Sequence, residues 1–527
     1  MNRKTGGNRG RWRVAAVAVA AAVAVLTTAC GLVHVHFGSS GGSASTGSAA
    51  YRAELAYAQC MRAHGLPGFP NPHPHPHPSG GPSEHVNVNP NSPAARANDA
   101  CKHLLSGGST GTAATAPAPS PPGAVSADCL ASRPPCYTPR QLRVAYGIQP
   151  LLDRGITGRG QIVVLPEFPP SAAGSPPAVT DIRQDLARFD TLFGLPAARL
   201  QVVNTLAHTA SPWLAAPEEV GDTEIVHALA PGAAIREVLI PSPYTASLGR
   251  VSLDRVSAAV VAALRLGLAQ GGVISLSAGT GEQCFTPAEV AQVNAVLRAA
   301  QRVRVTVVVS TGDSGAATTA CPLETGSAAV KGVDLPASDP LTLSVGGTSL
   351  QASQATGAYT GETAWNTPPS AEEPAAGGGG FSRLFPRPAY QDGIAGIGPT
   401  RGVPDVAADA DHRPGIAIAF SGGGKHYTLL GGGGVSVAAP LWAAVIALAD
   451  QYAGRHLGLV NPALYQIGRS AHYHQAFHDV TTGTNTVTFP TQTITGYHAA
   501  PGWDPVTGWG SPNAQVLVPL LARYASP

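Results

Sequence analysis

The chain has 527 residues, which is enough for one large domain with appendages or for two or three ordinary domains. Only 12% of the residues are charged and the formal net charge is +2, so the composition offers no basic surface for a polyanion. Nucleic acid is therefore not an expected partner. Runs rich in glycine and proline lie mainly in the first quarter of the chain, which predicts linkers there rather than disorder throughout.

The N-terminus has the pattern of an export signal. Five Arg and Lys residues fall within the first 13 positions, and residues 14–26 are all apolar. As a helix, this apolar segment would rise only about 20 Å, which is shorter than a ~30 Å hydrocarbon core. A cleaved signal peptide, covering residues 1–30, is therefore favoured over a permanent membrane span. The segment ends in Ala29-Cys30-Gly31 and resembles a bacterial lipoprotein cleavage site, although Thr27 stands where such sites prefer Leu.

The seven cysteines are consistent with export. With Cys30 set aside, the other six fall into pairs that neighbour each other along the chain: Cys60 with Cys101, Cys129 with Cys136, and Cys284 with Cys321. Oxidised pairs suit an exported protein, and an odd cysteine at the end of a signal suits lipid attachment. We therefore expect an extracellular or cell-surface bacterial lipoprotein that meets the membrane only through this anchor. A plain secreted protein, whose Cys30 leaves with the signal, is the alternative.

Composition divides the remainder of the chain. Residues 31–50 are a flexible Gly/Ser linker, residues 51–106 are a small segment whose two short helical stretches Cys60–Cys101 would join, and residues 107–128 are a second linker rich in Gly, Pro and Ala. Residues 129–527 form the main domain, and we expect it to be a monomer.

From Cys129 onward, short apolar runs alternate with amphipathic helices. The predicted strands are residues 161–165, 235–240, 273–276 and 303–310, and the predicted helices are residues 181–193, 218–229, 252–268, 287–301 and 436–452. This alternation predicts an α/β fold with a doubly wound, mainly parallel sheet that has helices on both faces. In such sheets the chemistry gathers at the carboxyl ends of the strands.

A serine opens the last predicted helix. Four glycines, residues 431–434, and Val435 precede Ser436, and an apolar helix follows. A serine in the first turn of a helix is exposed and lies in the positive field of the amide dipoles, which favours an alkoxide. A simple N-cap serine is the alternative interpretation.

The sequence offers two kinds of base for this serine. Glu218 and Asp222 share a helix face, and two carboxyls that close can hold one proton between them. Such a pair could accept the serine proton at acidic pH, where histidine is already charged. His208 and His227 are the plausible histidines, and a His227-dependent, subtilisin-like enzyme is the third hypothesis.

An aspartate follows the strand predicted at 303–310. Asp313 lies in a Ser-Thr-Gly-Asp-Ser-Gly sequence at the carboxyl end of that strand. If it is protonated, its carboxyl can donate a hydrogen bond to an oxyanion. A structural turn is the alternative role for this residue.

Several blocks, in order, resemble one family. The blocks are YTPRQLRVAYGI (137–148), GRGQIVVLPEF (158–168), EEVGDTEIVHALAPGA (218–233), VISLSAG (273–279), STGDSGA (310–316) and GGVSVAAP (433–440). They resemble the sedolisin (kumamolisin-like) serine-carboxyl peptidases, which have a subtilisin-like fold. The resemblance runs from about Tyr137 to Pro512.

The resemblance implies a serine-type endopeptidase that acts on proteins or peptides at acidic pH. Ser436 would attack the scissile carbonyl, Glu218 would be general base and then acid, Asp222 would orient Glu218 and share its proton, and Asp313 would complete the oxyanion hole. The segment Ser277, Ala278 and Gly279 would bind substrate.

The family resemblance also implies one calcium ion near the C-terminus, where HDVTTGTN (478–485) and AAPGWDPVTGWGSP (499–512) are similar to the family. Asp479 and Asp504 would supply carboxylates, while Val480, Ala500 and Gly502 would supply backbone carbonyls. An all-oxygen shell suits a hard cation such as Ca²⁺. A structural turn at Asp504 is the alternative.

The sequence also departs from the family pattern. Val435 replaces a Thr, Gly221 replaces a Leu beside Asp222, and Ala278 stands where the family has a Trp. The long activation domain of the family is not recognisable in the first 130 or so residues. These departures leave open an alternative function, a catalytically inactive, lipid-anchored pseudopeptidase that binds peptides without cutting them.

Overall fold

The computed structural model describes residues 128–131, 135–168, 179–205, 213–240, 253–321, 329–367, 374–424 and 427–525. Several predicted features lie outside the described residues: the signal peptide with Cys30, the first linker, the segment with Cys60 and Cys101, the second linker except Asp128, and His208. All other predicted site residues lie within them.

Eleven helices occur in the described ranges. They are α1 (Asp128–Ala131), α2 (Pro139–Ala145), α3 (Gln149–Leu152), α4 (Ile182–Phe193), α5 (Pro217–Leu229), α6 (Leu253–Gln270), α7 (Pro287–Arg302), α8 (Val435–Ala453), α9 (Asn461–Gly468), α10 (Tyr473–Ala476) and α11 (Ala514–Tyr524). Short 3₁₀ turns cover Glu282–Cys284 and Ala389–Gln391.

The longer strands belong mainly to one eight-stranded sheet. They are β1 (Ile162–Glu167), β2 (Arg199–Asn204), β3 (Ala234–Leu239), β4 (Val273–Leu276), β5 (Val307–Ser310), β6 (Leu343–Ala352), β7 (Tyr359–Ala364), β8 (Gly380–Pro386), β9 (Thr400–Val403), β10 (Val406–Asp409), β11 (Ile416–Phe420) and β12 (Thr428–Gly432). The sheet order is β7-β6-β5-β4-β1-β3-β2, and β10 also pairs with β6. Every pairing in it is parallel except that of β6 with β7.

The remaining strands form antiparallel pairs outside the sheet. β8 pairs with β9, and β11 pairs with β12. Shorter pairs join Thr180–Asp181 to Leu214–Ala215, Thr280–Gly281 to Asp334–Leu335, Ala317–Thr318 to Val330–Lys331, Phe477–His478 to Ser511–Pro512, and Val487–Phe489 to Gln492–Ile494. The structure contains the disulfides Cys129–Cys136 and Cys284–Cys321.

The predicted α/β architecture is confirmed, and one predicted strand is shorter than expected. The sequence predicts a strand from residue 303, but α7 runs to Arg302 and the strand begins at Val307. Arg304 has a φ of 58°, so the chain leaves the helix through a left-handed residue before it enters the sheet. The apolar character of Val303 therefore does not indicate a strand, and its side chain is 60% exposed.

The core explains why the serine helix is so apolar. α8 carries buried residues on nearly all of its faces, including the fully buried Trp442, and packs against α5, α11 and the sheet. By length and composition it could also cross a membrane, and it is the one such helix among the described residues. Its burial inside the domain marks it as a central core helix.

Candidate active site

The acidic pair lies on α5, whose start is fixed locally. Pro217 occupies the first turn, where its missing N–H costs no hydrogen bond. The Glu219 carboxylate accepts a hydrogen bond from the Ala216 N–H at 2.9 Å, which closes the end of the helix. Glu218 is partly exposed and Asp222 is buried, and because they are four residues apart they lie on one face of α5, which packs against α8.

Ser436 meets Glu218 directly. The Ser436 Oγ donates a hydrogen bond to Glu218 Oε1 at 3.0 Å. The serine is the second residue of α8, and Gly434, just before the helix, has a φ of 86°. That backbone conformation needs glycine, and a side chain at position 434 would also press on the Asp313 carboxylate, 2.8 Å from where its Cβ would stand.

Asp222 is held by a different serine. Ser277 Oγ donates to Asp222 Oδ2 at 2.9 Å and lies 3.4 Å from the backbone carbonyl oxygen of Ser436. The other oxygen, Asp222 Oδ1, is buried without a hydrogen-bond partner among the described residues. Glu218 and Asp222 make no direct hydrogen bond there, so the shared proton expected from the sequence would have to move between two separately bonded carboxyls.

Asp313 lies beside the first residue of the serine helix. It follows β5 in the loop next to the start of α8, and its Oδ1 accepts a hydrogen bond from the Val435 N–H at 2.8 Å. The carboxyl therefore lies one residue from Ser436. When it is protonated, its second oxygen can donate a hydrogen bond to an oxyanion at that point.

The surroundings favour the neutral forms of all three acids. Burial, followed by the charges of Glu219 and Asp313, raises the pKa of Glu218 to about 8, although the hydrogen bond from Ser436 opposes the rise. Burial and then the Glu218 charge raise the pKa of Asp222 well above its usual range. Burial raises the pKa of Asp313, with the Val435 N–H as the main opposing influence.

Two more buried carboxyls lie behind this site and were missed in the sequence. Glu167 ends β1 and Glu237 lies on the neighbouring β3, opposite Leu165. Burial, followed by the charge of Asp222, raises the pKa of Glu167 well above normal. Glu237 accepts a hydrogen bond from Thr223 at 2.7 Å. An acid at the end of an all-apolar strand was the available sequence signal for Glu167.

The hypothesis of a His227 base is wrong. Glu218 and His227 are nine residues apart on α5, which places them on opposite sides of the helix. The His227 Nε2 lies 2.9 Å from Asp190 Oδ1 and 2.8 Å from the Pro196 carbonyl, and the side chain is fully buried. His227 is thus a structural residue that packs α5 against α4.

Two peptidases are similar to this chain in sequence. Kumamolisin from Bacillus sp. (strain MN-32) is 32% identical over 415 residues, covering 77% of this chain and 67% of kumamolisin. Human tripeptidyl-peptidase 1 is 30% identical over 271 residues, which is 47% of this chain and 43% of the relative. The chain belongs to the sedolisin family of serine-carboxyl peptidases.

A solved sedolisin structure supports the fold. Pseudomonas sedolisin, a serine-carboxyl proteinase complexed with two molecules of pseudo-iodotyrostatin, superposes with a TM-score of 0.55 at 23% identity. The match covers 74% of this chain and 99% of that structure. No protein-family model matches the chain. The chain spans less than half the length of tripeptidyl-peptidase 1.

The substrate segment expected for a sedolisin follows β4. Ser277 faces the acidic pair, as described above, and Ala278 is buried in the apolar layer beneath the sheet. Gly279 lies against the short Asp334–Leu335 strand, because a Cβ there would stand 2.9 Å from the Leu335 carbonyl oxygen. The side chains of Ser277 and Ala278 therefore support the site from within.

The calcium residues expected for a sedolisin lie on two facing loops. The Gly502 N–H donates to both Asp479 carboxylate oxygens at 3.2 Å, and the Ala500 N–H donates to Asp504 Oδ2 at 3.1 Å. The Thr507 hydroxyl links the Val480 carbonyl, 3.5 Å away, to Asp504 Oδ2, 3.1 Å away. The five predicted residues thus come together.

This donor set fits a hard divalent cation. Burial raises the pKa of Asp504 to about 6 despite four hydrogen bonds, and neither Asp479 nor Asp504 forms an ion pair within the described ranges. A bound cation would offset the cost of two carboxylates near each other. No cluster of three or more His, Cys, Asp or Glu side chains suited to a metal occurs in the described part of the chain, so any ion here depends on backbone carbonyls.

Proposed function

We propose that this protein is an exported endopeptidase that uses Ser436 as nucleophile, Glu218 as general base and acid, Asp222 as the partner of Glu218, and Asp313 as an oxyanion-hole donor. The observation that carries the proposal is the 3.0 Å hydrogen bond from Ser436 Oγ to Glu218 Oε1. It gives a nucleophile and a base within reach of each other.

The proposed reaction has two halves. Ser436 Oγ attacks the scissile carbonyl carbon while its proton passes to Glu218, and the oxyanion accepts a hydrogen bond from protonated Asp313. Glu218 then gives the proton to the leaving amine as the C–N bond breaks, leaving an acyl-enzyme. A water molecule repeats the sequence, with Glu218 as base, and releases the second product.

The pKa of Glu218 sets a condition on activity at acidic pH. A carboxyl with a pKa of about 8 is protonated at pH 4 and cannot accept a proton from Ser436. Acid activity therefore requires that the Glu218–Asp222 pair lose its first proton below pH 5. Hydrogen bonds from Ser436 and Ser277 favour this loss, while burial opposes it. The position of the acid limb of the pH–rate profile decides between acidic and neutral activity.

Ca²⁺ is proposed to bind between the loops of Asp479–Val480 and Ala500–Asp504. When bound, it would supply positive charge that fixes the two loops. Asp479 and Asp504 would provide carboxylate oxygens, and Val480, Ala500 and Gly502 would provide carbonyl oxygens. The antiparallel pairing of Phe477–His478 with Ser511–Pro512 would connect the fixed loops to the core of the domain.

Export and lipidation are proposed from the sequence of residues 1–31. Attachment of a lipid to Cys30 would place the peptidase domain outside the cell, separated from the anchor by residues 31–128. Protein or peptide substrates would then come from outside the cell. A Cys30→Ala variant that still labels with a lipid precursor would contradict the proposed anchor.

A binding protein without catalysis is the second candidate. Two departures favour it: Ala278 gives the site no Trp, and buried Val435 brings no hydroxyl next to Ser436. Such a protein would bind peptides in its calcium-loaded form and never turn them over. Covalent labelling of Ser436 by a peptide aldehyde would count against it.

The direct test is hydrolysis of casein and of synthetic peptides at pH 3 to 8, with wild type and Ser436→Ala. The proposal predicts turnover by the wild type and its loss in the variant. Equal rates for the two proteins would contradict the role of Ser436. A maximum near pH 8 that depends on Ser436 and Glu218 would leave the residue roles intact and contradict acid activity alone.

A further inference from the structure

One apolar side chain lies between the acid helix and the strand that leads to the nucleophile. Ile418 is on β11, is 5% exposed, and belongs to a small apolar cluster apart from the main core. Its side chain reaches Gly221 on α5, one turn after Glu218 and next to Asp222. It also reaches Gly432 at the end of β12, four residues before Ser436.

Both glycines provide space for Ile418. A Cβ at position 221 would stand 2.7 Å from Ile418 Cδ1 and 3.7 Å from its Cγ1. A Cβ at position 432 would meet the same Cδ1 even more closely. Because carbon atoms in contact are normally ~3.5 to 4.0 Å apart, the terminal methyl of Ile418 fills a space that exists only while both positions are glycine.

Polar contacts hold the same hairpin to the helices beside it. The Ala419 N–H donates to the buried Glu224 carboxylate on α5 at 2.8 Å, and the Ser421 N–H donates to the buried Asp185 on α4 at 3.0 Å. β11 pairs with β12 along its whole length, and β12 runs into the glycine segment before α8. A shift of the β11–β12 hairpin would therefore move the backbone that positions Ser436 relative to α5.

We propose that Ile418 is a positioning residue that sets the separation between the acids of α5 and the Ser436 hydroxyl. Gly221 and Gly432 provide the space that its side chain occupies. The inference rests on the proposed roles of Ser436 and Glu218. It also gives Gly221 a purpose, since a glycine inside a helix weakens that helix and this one is buried. Ile418 touches no substrate and acts only through the geometry of the pair.

The test is a double-mutant cycle at positions 221 and 418. Gly221→Ala forces Ile418 away and should lower kcat by about 100-fold, the effect of roughly 1 Å of misplacement, while KM stays within about threefold. Ile418→Val lacks Cδ1, and the nearest atom to the new alanine becomes Cγ1 at 3.7 Å, an ordinary contact. The double variant Gly221→Ala/Ile418→Val should therefore regain kcat to within about threefold of wild type.

A matched control separates positioning from general loosening. Ile225→Val deletes the same methyl from a buried isoleucine on α5, and combined with Gly221→Ala it should restore nothing. Thermal unfolding of each variant checks that all are folded at the assay temperature. The pH dependence of kcat should also change in Gly221→Ala, and in the double variant it should return to that of the wild type.

Each outcome has one meaning. Full kcat in Gly221→Ala, or a double variant as impaired as the single one, overturns the inference while an active wild type keeps the proposed function. Restoration by Ile225→Val overturns it as well. A wild type without turnover contradicts the proposed function, and the positioning role falls with it.

Discussion

Two regions of this protein differ in whether their buried carboxyl groups are paired with a cation. Asp405 is fully buried and faces the equally buried Arg401, whose Nη1 and Nη2 donate to its two oxygens at 2.7 and 2.6 Å. Tyr465 and Asn461 add hydrogen bonds at 3.0 and 2.9 Å. This carboxyl group is paired with a guanidinium and surrounded by hydrogen-bond donors, which is how a buried acid becomes a structural element.

The acids near Ser436 have no such compensation. Glu218 and Asp222 each accept a hydrogen bond from one serine hydroxyl, and neither forms an ion pair within the described ranges. Burial, followed by neighbouring carboxylates, raises the pKa of both groups. The comparison teaches that the paired carboxylate stabilises the fold, whereas burial shifts the unpaired acids toward their neutral forms. Groups of the second kind are typical of functional sites.

Removing the partner of the paired carboxylate should have the largest effect on stability. Arg401→Leu leaves the Asp405 charge buried alone, and the free energy of unfolding should fall by about 3 to 5 kcal/mol. Chemical denaturation measures this. Arg387→Leu is the control, since it breaks the exposed pair with Asp392 and should cost less than about 1 kcal/mol. Similar losses in the two variants would contradict the structural role of Arg401.

Removing an acid from the site should instead reduce activity. Asp222→Asn should lower kcat by about 10³-fold, or about 4 kcal/mol of barrier, because the partner of Glu218 can no longer take up a proton. Its unfolding free energy at pH 7 should not fall, because the folded protein already favours a neutral group there. Steady-state kinetics with denaturation curves measure both. A stable variant with full kcat would remove Asp222 from the mechanism.

Metal removal probes a third group of carboxylates, those of Asp479 and Asp504 at the proposed calcium site. Chelation with EDTA should lower the unfolding free energy by about 2 to 3 kcal/mol, the stabilisation expected from Ca²⁺ at about 100 times its Kd. Asp479→Asn should remove most of the response, while Asp392→Asn on the surface should leave it unchanged. A melting temperature that EDTA does not move in the wild type would contradict the calcium site.

The smallest expected effect concerns the pH dependence of stability, to which the unpaired acid Glu237 should contribute. Burial raises the pKa of Glu237 to about 7, so its contribution to stability is complete below pH 4.5 and is lost as the pH rises to about 7. Glu237→Gln keeps an acceptor for Thr223 and should reduce this loss by about 1 to 2 kcal/mol. Urea denaturation at pH 4.5 and pH 8 measures the difference. An unchanged pH dependence would mean that Glu237 is not neutral in the folded protein.

Much of the scaffold was predictable from the sequence. Val273–Leu276 forms the strand predicted there, and α4, α5, α7 and α8 begin within one residue of the predicted positions. These elements have strong apolar periodicity and clear start signals, such as Pro217 and Pro287 in first turns. The resemblance to the sedolisin family predicted that Glu218, Asp222, Asp313 and Ser436 form one site. The apolar periodicity could not predict this, because Glu218 and Ser436 are 218 positions apart.

The supporting contacts were not predictable. The prediction for Ser277 is substrate binding, and it did not include the hydrogen bond that the Ser277 side chain donates to Asp222, a contact across 55 residues. In the sequence, Gly221 is only a departure from the family pattern, but in the folded protein it makes room for Ile418. Both facts depend on packing between elements, and a single sequence does not contain that information.

The central claim is that Glu218 takes the proton of Ser436, and the pH–rate profile of kcat/KM tests it most directly. Wild type, Glu218→Gln and Ser436→Ala would be compared on one peptide from pH 3 to pH 8. The account predicts a bell-shaped profile for the wild type and a loss of at least about 10³-fold in both variants at every pH. A Glu218→Gln enzyme that keeps the wild-type rate and profile would contradict the account.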